Sequence, residues 1–117
     1  MVSNAIIAKA EQVCLKSNVR YRMAAIIFKG RKIYSSGVNH QYTLSKKERL
    51  ILGIPYCSIH AETDAVINFT EMCGKIGYTP RNCSIYIHRQ HGLLAKPCDK
   101  CLAVLKHVGI KKIYWSG

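Results

Sequence analysis

CSIYIHRQHGLLAKPCDKCLAVLKHVGIKKIYW, residues 83–115, carries a strand, a helix and a second strand in one reading frame. Cys83 to His88 is rich in β-branched and aromatic residues and short enough for a buried strand. Pro97 suits the first turn of a helix, where its missing N–H is not needed. Cys101, Leu102, Val104, Leu105 and Val108 then form an apolar stripe, and Gly109 ends the helix. Lys112 to Trp115 is a further strand. Two strands joined through a helix favour parallel pairing and a sheet covered by helices.

The upstream residues extend the same α/β plan. Ile6, Ala10, Val13 and Cys14 recur at helical spacing within residues 4–16, with Lys9 and Lys16 facing elsewhere. Met23 to Phe28 is a continuous apolar run, Lys29-Gly30-Arg31 turns the chain, and Lys32 to Ser36 reads as its antiparallel partner. Residues 37–57 are irregular, with a short helical piece at Lys46–Leu52 and Gly53 and Pro55 as punctuation. Ser58 is a candidate N-cap for a helix running to about Cys73, with Ala65, Val66, Phe69 and Met72 on its core face. Gly74, Gly77 and Pro80 break that helix. The expectation is one α/β domain over residues 1–117, with a helix-covered central mixed sheet of at least four strands in two or three layers.

The chemistry sits at the starts of two of these helices. Cys98 and Cys101 are three apart, so their sulfurs can converge on one ion, and His60 begins the other helix. The partial positive charge of a helix N-terminus helps to hold thiolates. Two sulfurs and one imidazole suit zinc, one ion per chain. A structural zinc site is closed by four protein ligands, whereas a catalytic one leaves its fourth position to water and lowers that water's pKa to about 7. Glu62, two residues after His60, is not placed as an obvious fourth ligand and can act as a base and then an acid. A closed alternative exists, because Cys57-x-x-His60 with Cys98-x-x-Cys101 would make a Cys3His structural site. It leaves Glu62 and Pro97 unexplained and takes a ligand from before the helix, so the open site is the expectation.

Composition sets the partners. The chain has 18 Lys plus Arg against 6 Asp plus Glu, a net charge of +12, which attracts polyanions and steers phosphate-bearing ligands. No apolar run reaches the length of a membrane span, and no charged start and cleavage site of a signal peptide is present, so a soluble intracellular protein with no membrane partner is expected. Cys14, Cys73 and Cys83 are then expected to be reduced and mostly buried.

SIHAETDAVINF, followed by CSIYIHR and LLAKPCDKCLAVLKHVGIKKIYWS, resembles the cytidine/deoxycytidylate deaminase superfamily from about Met23 onward. The pairing of H-x-E with P-C-x-x-C is that superfamily's signature. The resemblance implies zinc on His60, Cys98 and Cys101, with Glu62 as proton shuttle. It places Asn39, which on its own reads equally as a turn residue after Gly37, near the base or sugar, and the Ala61 backbone N–H at the base carbonyl. A His as first ligand is similar to deoxycytidylate, tRNA adenosine and polynucleotide cytosine deaminases. The implied reaction is hydrolytic conversion of cytosine to uracil in a phosphate-bearing substrate, a nucleotide or single-stranded nucleic acid. A tRNA-type adenosine deaminase and a non-catalytic basic nucleic-acid-binding module with structural zinc are the alternatives. Such proteins usually carry a fifth strand after the fourth. This chain stops at Gly117, so Lys112–Trp115 is expected to be an exposed edge and the protein a homo-oligomer. His88, Arg89 and His91 read as an ordinary exposed loop or a phosphate contact; Tyr34, Tyr42 and Tyr56 read as core or rim, or as stacking surfaces for a base.

Overall fold

In a computed structural model, which describes residues 2–40, 46–53, 60–73 and 80–117, eight regular elements alternate along the chain. They are α1 (Asn4–Cys14), β1 (Met23–Lys29), β2 (Lys32–Val38), α2 (Lys46–Leu52), α3 (Ala61–Cys73), β3 (Ser84–Arg89), α4 (Asp99–His107) and β4 (Lys112–Trp115). A 3-10 turn at Gln90–Gly92, not expected from the sequence, follows β3. The four strands form one sheet in the order β2-β1-β3-β4. The β1–β2 hairpin is antiparallel, β1 and β3 are antiparallel, and β3 and β4 are parallel through α4.

Two apolar clusters, one on each face of the sheet, make this a three-layer structure. Ala25, Ile27, Ile85 and Ile87 pack with Ala65, Val66 and Phe69 of α3 and Val104 and Leu105 of α4. Ala24, Ile26, Phe28 and Tyr86 face the other way, onto Ile6, Ala10, Val13 and Cys14 of α1. β1 reads as an unbroken apolar run because consecutive residues serve opposite cores. Each fully buried aliphatic side chain contributes roughly 1.5–3 kcal/mol. Met72 departs from expectation: it is 67% exposed, on the solvent side of α3 beyond the reach of the sheet.

Helix starts are set by side chains close in sequence. Ser3 caps α1, its Oγ accepting the Ile6 N–H at 3.3 Å. Pro97 does not open α4 as expected; Cys98 is the N-cap and the helix begins at Asp99. The candidate cap Ser58 lies outside the described residues. Gly37 of β2 lets α3 approach: an added Cβ would lie 2.2 Å from the Ala65 nitrogen and 2.7 Å from the Ala61 oxygen. The Ser35 hydroxyl donates to the Ala65 carbonyl at 2.9 Å, and the Asn68 amide to the Ser36 carbonyl at 2.8 Å. The first turn of α3 is thereby seated directly on the β2 backbone.

Candidate active site

His60 immediately precedes α3, and Thr63 holds it there. The Thr63 Oγ1 accepts the His60 N–H at 3.0 Å, and its hydroxyl donates to the His60 carbonyl at 2.8 Å. The Thr63 contact to the His60 N–H is one half of a capping box, with threonine in place of the usual Glu or Gln. The His60 carbonyl also accepts the Asp64 N–H at 3.0 Å. On the other helix, Cys98 is the N-cap and its carbonyl accepts the Leu102 N–H at 3.0 Å. Cys101 lies within the first turn of α4 and is buried.

The ligand atoms of His60, Cys98 and Cys101 all lie within 4.8 Å of one another, the one such group among the described residues. His60 Nδ1 is 3.0 Å from Cys101 Sγ and 3.9 Å from Cys98 Sγ, and the two sulfurs are 3.5 Å apart. Tetrahedral zinc with ordinary Zn–S and Zn–N bond lengths needs edges of roughly 3.5–3.8 Å, so the three atoms fit that ion with shifts of a few tenths of an ångström. Burial pushes the Cys101 thiol up, and the Glu62 carboxylate beside it adds to the shift. A bound divalent cation reverses that balance and holds the thiolate.

Glu62 is 3% exposed and looks into the same cavity as the ligands. That cavity, 230 Å³ in volume, is lined by Met23, Asn39, His60, Glu62, Lys96, Pro97 and Cys98. A larger hollow of 600 Å³ lies on the α1 side of the sheet against Tyr86, His88, Tyr114 and Trp115, but no metal-ligating group converges there among the described residues. Ligand chemistry, not size, selects the smaller one.

Asn39 reaches the cavity wall with its amide mostly engaged. Its Oδ1 accepts the Met23 N–H at 2.9 Å and the Ser17 hydroxyl at 2.7 Å, while its Nδ2 donates to the Tyr21 carbonyl at 2.6 Å. Among the described residues its second amide N–H has no partner. Ala61, buried in the first turn of α3, is not among the lining residues. Cys57, Tyr42 and Tyr56 lie outside the described residues. Tyr34 packs on Phe69 with ring centroids 5.7 Å apart, on the core side.

His88, read both as the end of a strand and with the exposed residues that follow it, belongs to the strand. It sits in β3, 3% exposed, facing α1. Its Nδ1 pairs with the Tyr86 hydroxyl at 2.8 Å and its Nε2 with the Glu11 carboxylate. Thr63, Lys96 and Ser116 were missed from sequence. Ser116 accepts the Arg89 N–H at 3.0 Å and donates to the Leu93 carbonyl at 2.6 Å, anchoring the loop that leads to Cys98. A Thr three residues after His60 was a readable capping signal; nothing local marks Ser116.

Residues 2–116 match the family model described as the cytidine and deoxycytidylate deaminase zinc-binding region. The chain belongs to this family. It is a zinc-dependent deaminase, a hydrolase of C–N bonds. No curated protein sequence matches it at a significant level. Among solved structures, it is similar to the dCMP deaminase of cyanophage S-TIM5 in complex with dCMP and dUMP: TM-score 0.65, 24% identity, covering 98% of this chain and 83% of that one. A point mutant of cytidine deaminase from Mycobacterium tuberculosis gives TM-score 0.64 at 17% identity, covering 100% and 87%. Guanine deaminase from Bacillus subtilis gives TM-score 0.61 at 16% identity, covering 100% and 65%. These likenesses show that the chain shares the fold of those deaminases. No helix among the described residues is long and apolar enough to cross a membrane.

Proposed function

We propose that this deaminase converts cytosine to uracil in a phosphate-bearing substrate. The observation that carries the reading is a buried carboxylate, Glu62, facing the same small cavity as three converging ligand atoms. In this reading His60, Cys98 and Cys101 hold zinc, which supplies a Lewis acid that lowers the pKa of water to about 7. Glu62 takes a proton from the attacking water and delivers it to the ring nitrogen. A second proton goes by the same carboxylate to the departing amine, so that water is consumed, C4 gains a carbonyl oxygen and ammonia leaves. Burial of Glu62 limits competing proton exchange with bulk water. The remaining Asn39 N–H and the Ala61 backbone N–H orient the base.

Cavity size and charge support the substrate class. At 230 Å³ the cavity is below the 300–1,000 Å³ or so typical of whole small-molecule sites, which suits one base with its sugar and phosphate outside. Lys96 stands at the rim, and the chain carries a net charge of +12. Among the described residues β4 is an edge of the sheet, which supports a homo-oligomer in solution, since an edge strand invites pairing with a second copy; a monomeric mass in light scattering at low micromolar concentration would count against that.

The test is ammonia release by the zinc-loaded protein from cytidine, CMP, dCMP and single-stranded oligonucleotides, with Glu62→Gln alongside. Turnover of a phosphorylated cytosine substrate is expected, falling about 10²- to 10⁴-fold or more in Glu62→Gln while zinc stays bound. Turnover of adenine substrates alone would overturn the choice of base, and an active Glu62→Gln protein would overturn the role of the carboxylate.

A further inference from the structure

A second, smaller hollow of 190 Å³ lies beside the active-site cavity, lined by arginines and one tyrosine. Arg20, Tyr21 and Arg22 come from the loop between α1 and β1; Arg89 and His91 come from the end of β3 and the turn after it. The two hollows share a wall. Met23 lines the first and its neighbour Arg22 the second. Arg89 stands opposite Met23 in the β1–β3 ladder, and the Gln90 N–H donates to the Arg22 carbonyl at 2.9 Å. Asn39 spans the wall, lining the first hollow while its amide holds the Tyr21 carbonyl at 2.6 Å.

The arginine charge here has no carboxylate partner among the described residues. The guanidinium of Arg89 lies 5.0 Å from the Tyr21 ring centroid and that of Arg20 lies 5.6 Å from it. A guanidinium resting on an aromatic ring keeps its planar N–H fork available for phosphate oxygens. Glu11 accepts the His91 N–H, lies 3.8 Å from the His91 Nδ1 and is also engaged by His88, so its carboxylate serves the histidines and not the arginines. Three guanidiniums and an exposed imidazole exceed what one phosphate needs, and the active-site rim has its own cation in Lys96. Tyr21 itself is 59% exposed. Charge that tracks a backbone, interleaved with an exposed aromatic, is how proteins grip single strands without reading sequence.

We propose that this hollow holds a nucleotide flanking the target cytosine, which makes single-stranded nucleic acid the substrate. The proposal rests on the cytosine-deaminase reading above, with Lys96 serving the target nucleotide and the arginine cluster serving its neighbour. Binding separates the two ideas, because it can be read without turnover. Zinc-loaded Glu62→Gln protein is titrated with a labelled five-nucleotide single strand bearing one central cytosine, as DNA and as RNA, and with dCMP, at 50 and 200 mM salt. Arg89→Ala and Arg20→Ala are expected each to weaken strand binding about tenfold and to lower the slope of log affinity against log salt by about 0.7 per arginine removed. Tyr21→Ala is expected to weaken it similarly and Tyr21→Phe to restore it. Affinity for dCMP should stay within twofold throughout. Equal weakening for dCMP and the strand would overturn the proposal by making the cluster the target nucleotide's own phosphate site. Unchanged strand binding in all the variants, with thermal unfolding also unchanged, would reduce the cluster to a solvated surface. Neither outcome touches deamination of dCMP by the wild-type protein, and a wild type inactive on every cytosine substrate would leave the strand-binding result standing.

Discussion

The sheet separates two clusters built from nearly the same residue types. On one face His60, Glu62, Cys98 and Cys101 surround a cavity; on the other Glu11, His88, Tyr86 and Cys14 pack together beneath α1. In the second cluster each polar atom has found a partner: both nitrogens of His88 are engaged, and the Cys14 thiol lies 3.7 Å from the His88 carbonyl, to which it donates. In the first, the His60 nitrogen and the two sulfurs have chiefly one another, at separations suited to an ion between them. Histidine and carboxylate become functional when left incompletely satisfied beside a cavity, and structural when closed off by mutual hydrogen bonds. Burial alone does not distinguish them, since Glu62 and His88 are equally hidden, at 3% exposure each.

That contrast is sharpest where one ligand is removed. Cys98→Ala is expected to drop zinc content and ammonia release to background while leaving the folded secondary structure in place, checked by metal analysis and circular dichroism. Unfolding instead would make the metal as structural as the core. The reverse is expected of His88→Leu: zinc content persists, and stability falls by about 1–3 kcal/mol because the buried Tyr86 hydroxyl and the Glu11 carboxylate each lose a hydrogen-bond partner. Denaturant melts measure that loss, and loss of zinc together with stability would break the separation of the two faces.

The smallest effect is a pH dependence. Hydrogen bonding to His88 leads the forces that hold the Glu11 carboxyl below its ordinary value of 4.5. A group whose folded value is depressed stabilises the protein above its unfolded value, and that contribution disappears as pH falls through the folded one. Melting temperature should therefore fall less steeply below pH 4.5 in Glu11→Gln than in the wild type. The difference is modest, since the Glu11 side chain is 41% exposed and solvent screens the interaction. Parallel curves would show that Glu11 is no more than a solvated neighbour of His88.

The fold was legible wherever one face or one crossover decided it. The apolar stripes of α1 and α4 and the helix joining β3 to β4 carried their own periodicity, and even α2 fell where the residues indicated. The convergence of His60, Cys98 and Cys101 was legible because metal chemistry demands particular side chains at tight spacing. The strand through His88 was legible, but its burial against α1 was not, because the period of an all-buried strand does not say which residue faces which helix. Tyr21 drew no notice, since it gains meaning only when Arg89, far away in sequence, pairs beside Met23. Asn39 was expected to serve the substrate, and its bonds to Ser17, Tyr21 and Met23 show that it also splices the α1–β1 loop to the end of β2.

In β3, Ile85 and Ile87 belong to the α3–α4 side, while Tyr86 and His88 belong to the α1 side. Loss of a single codon from this strand would therefore do more than shorten it. Every side chain beyond the deletion would be delivered to the wrong core, hydroxyl and imidazole among aliphatics, with Arg89 carried off the rim of the site. Substitutions along β3 can be absorbed one at a time; frame-preserving deletions cannot.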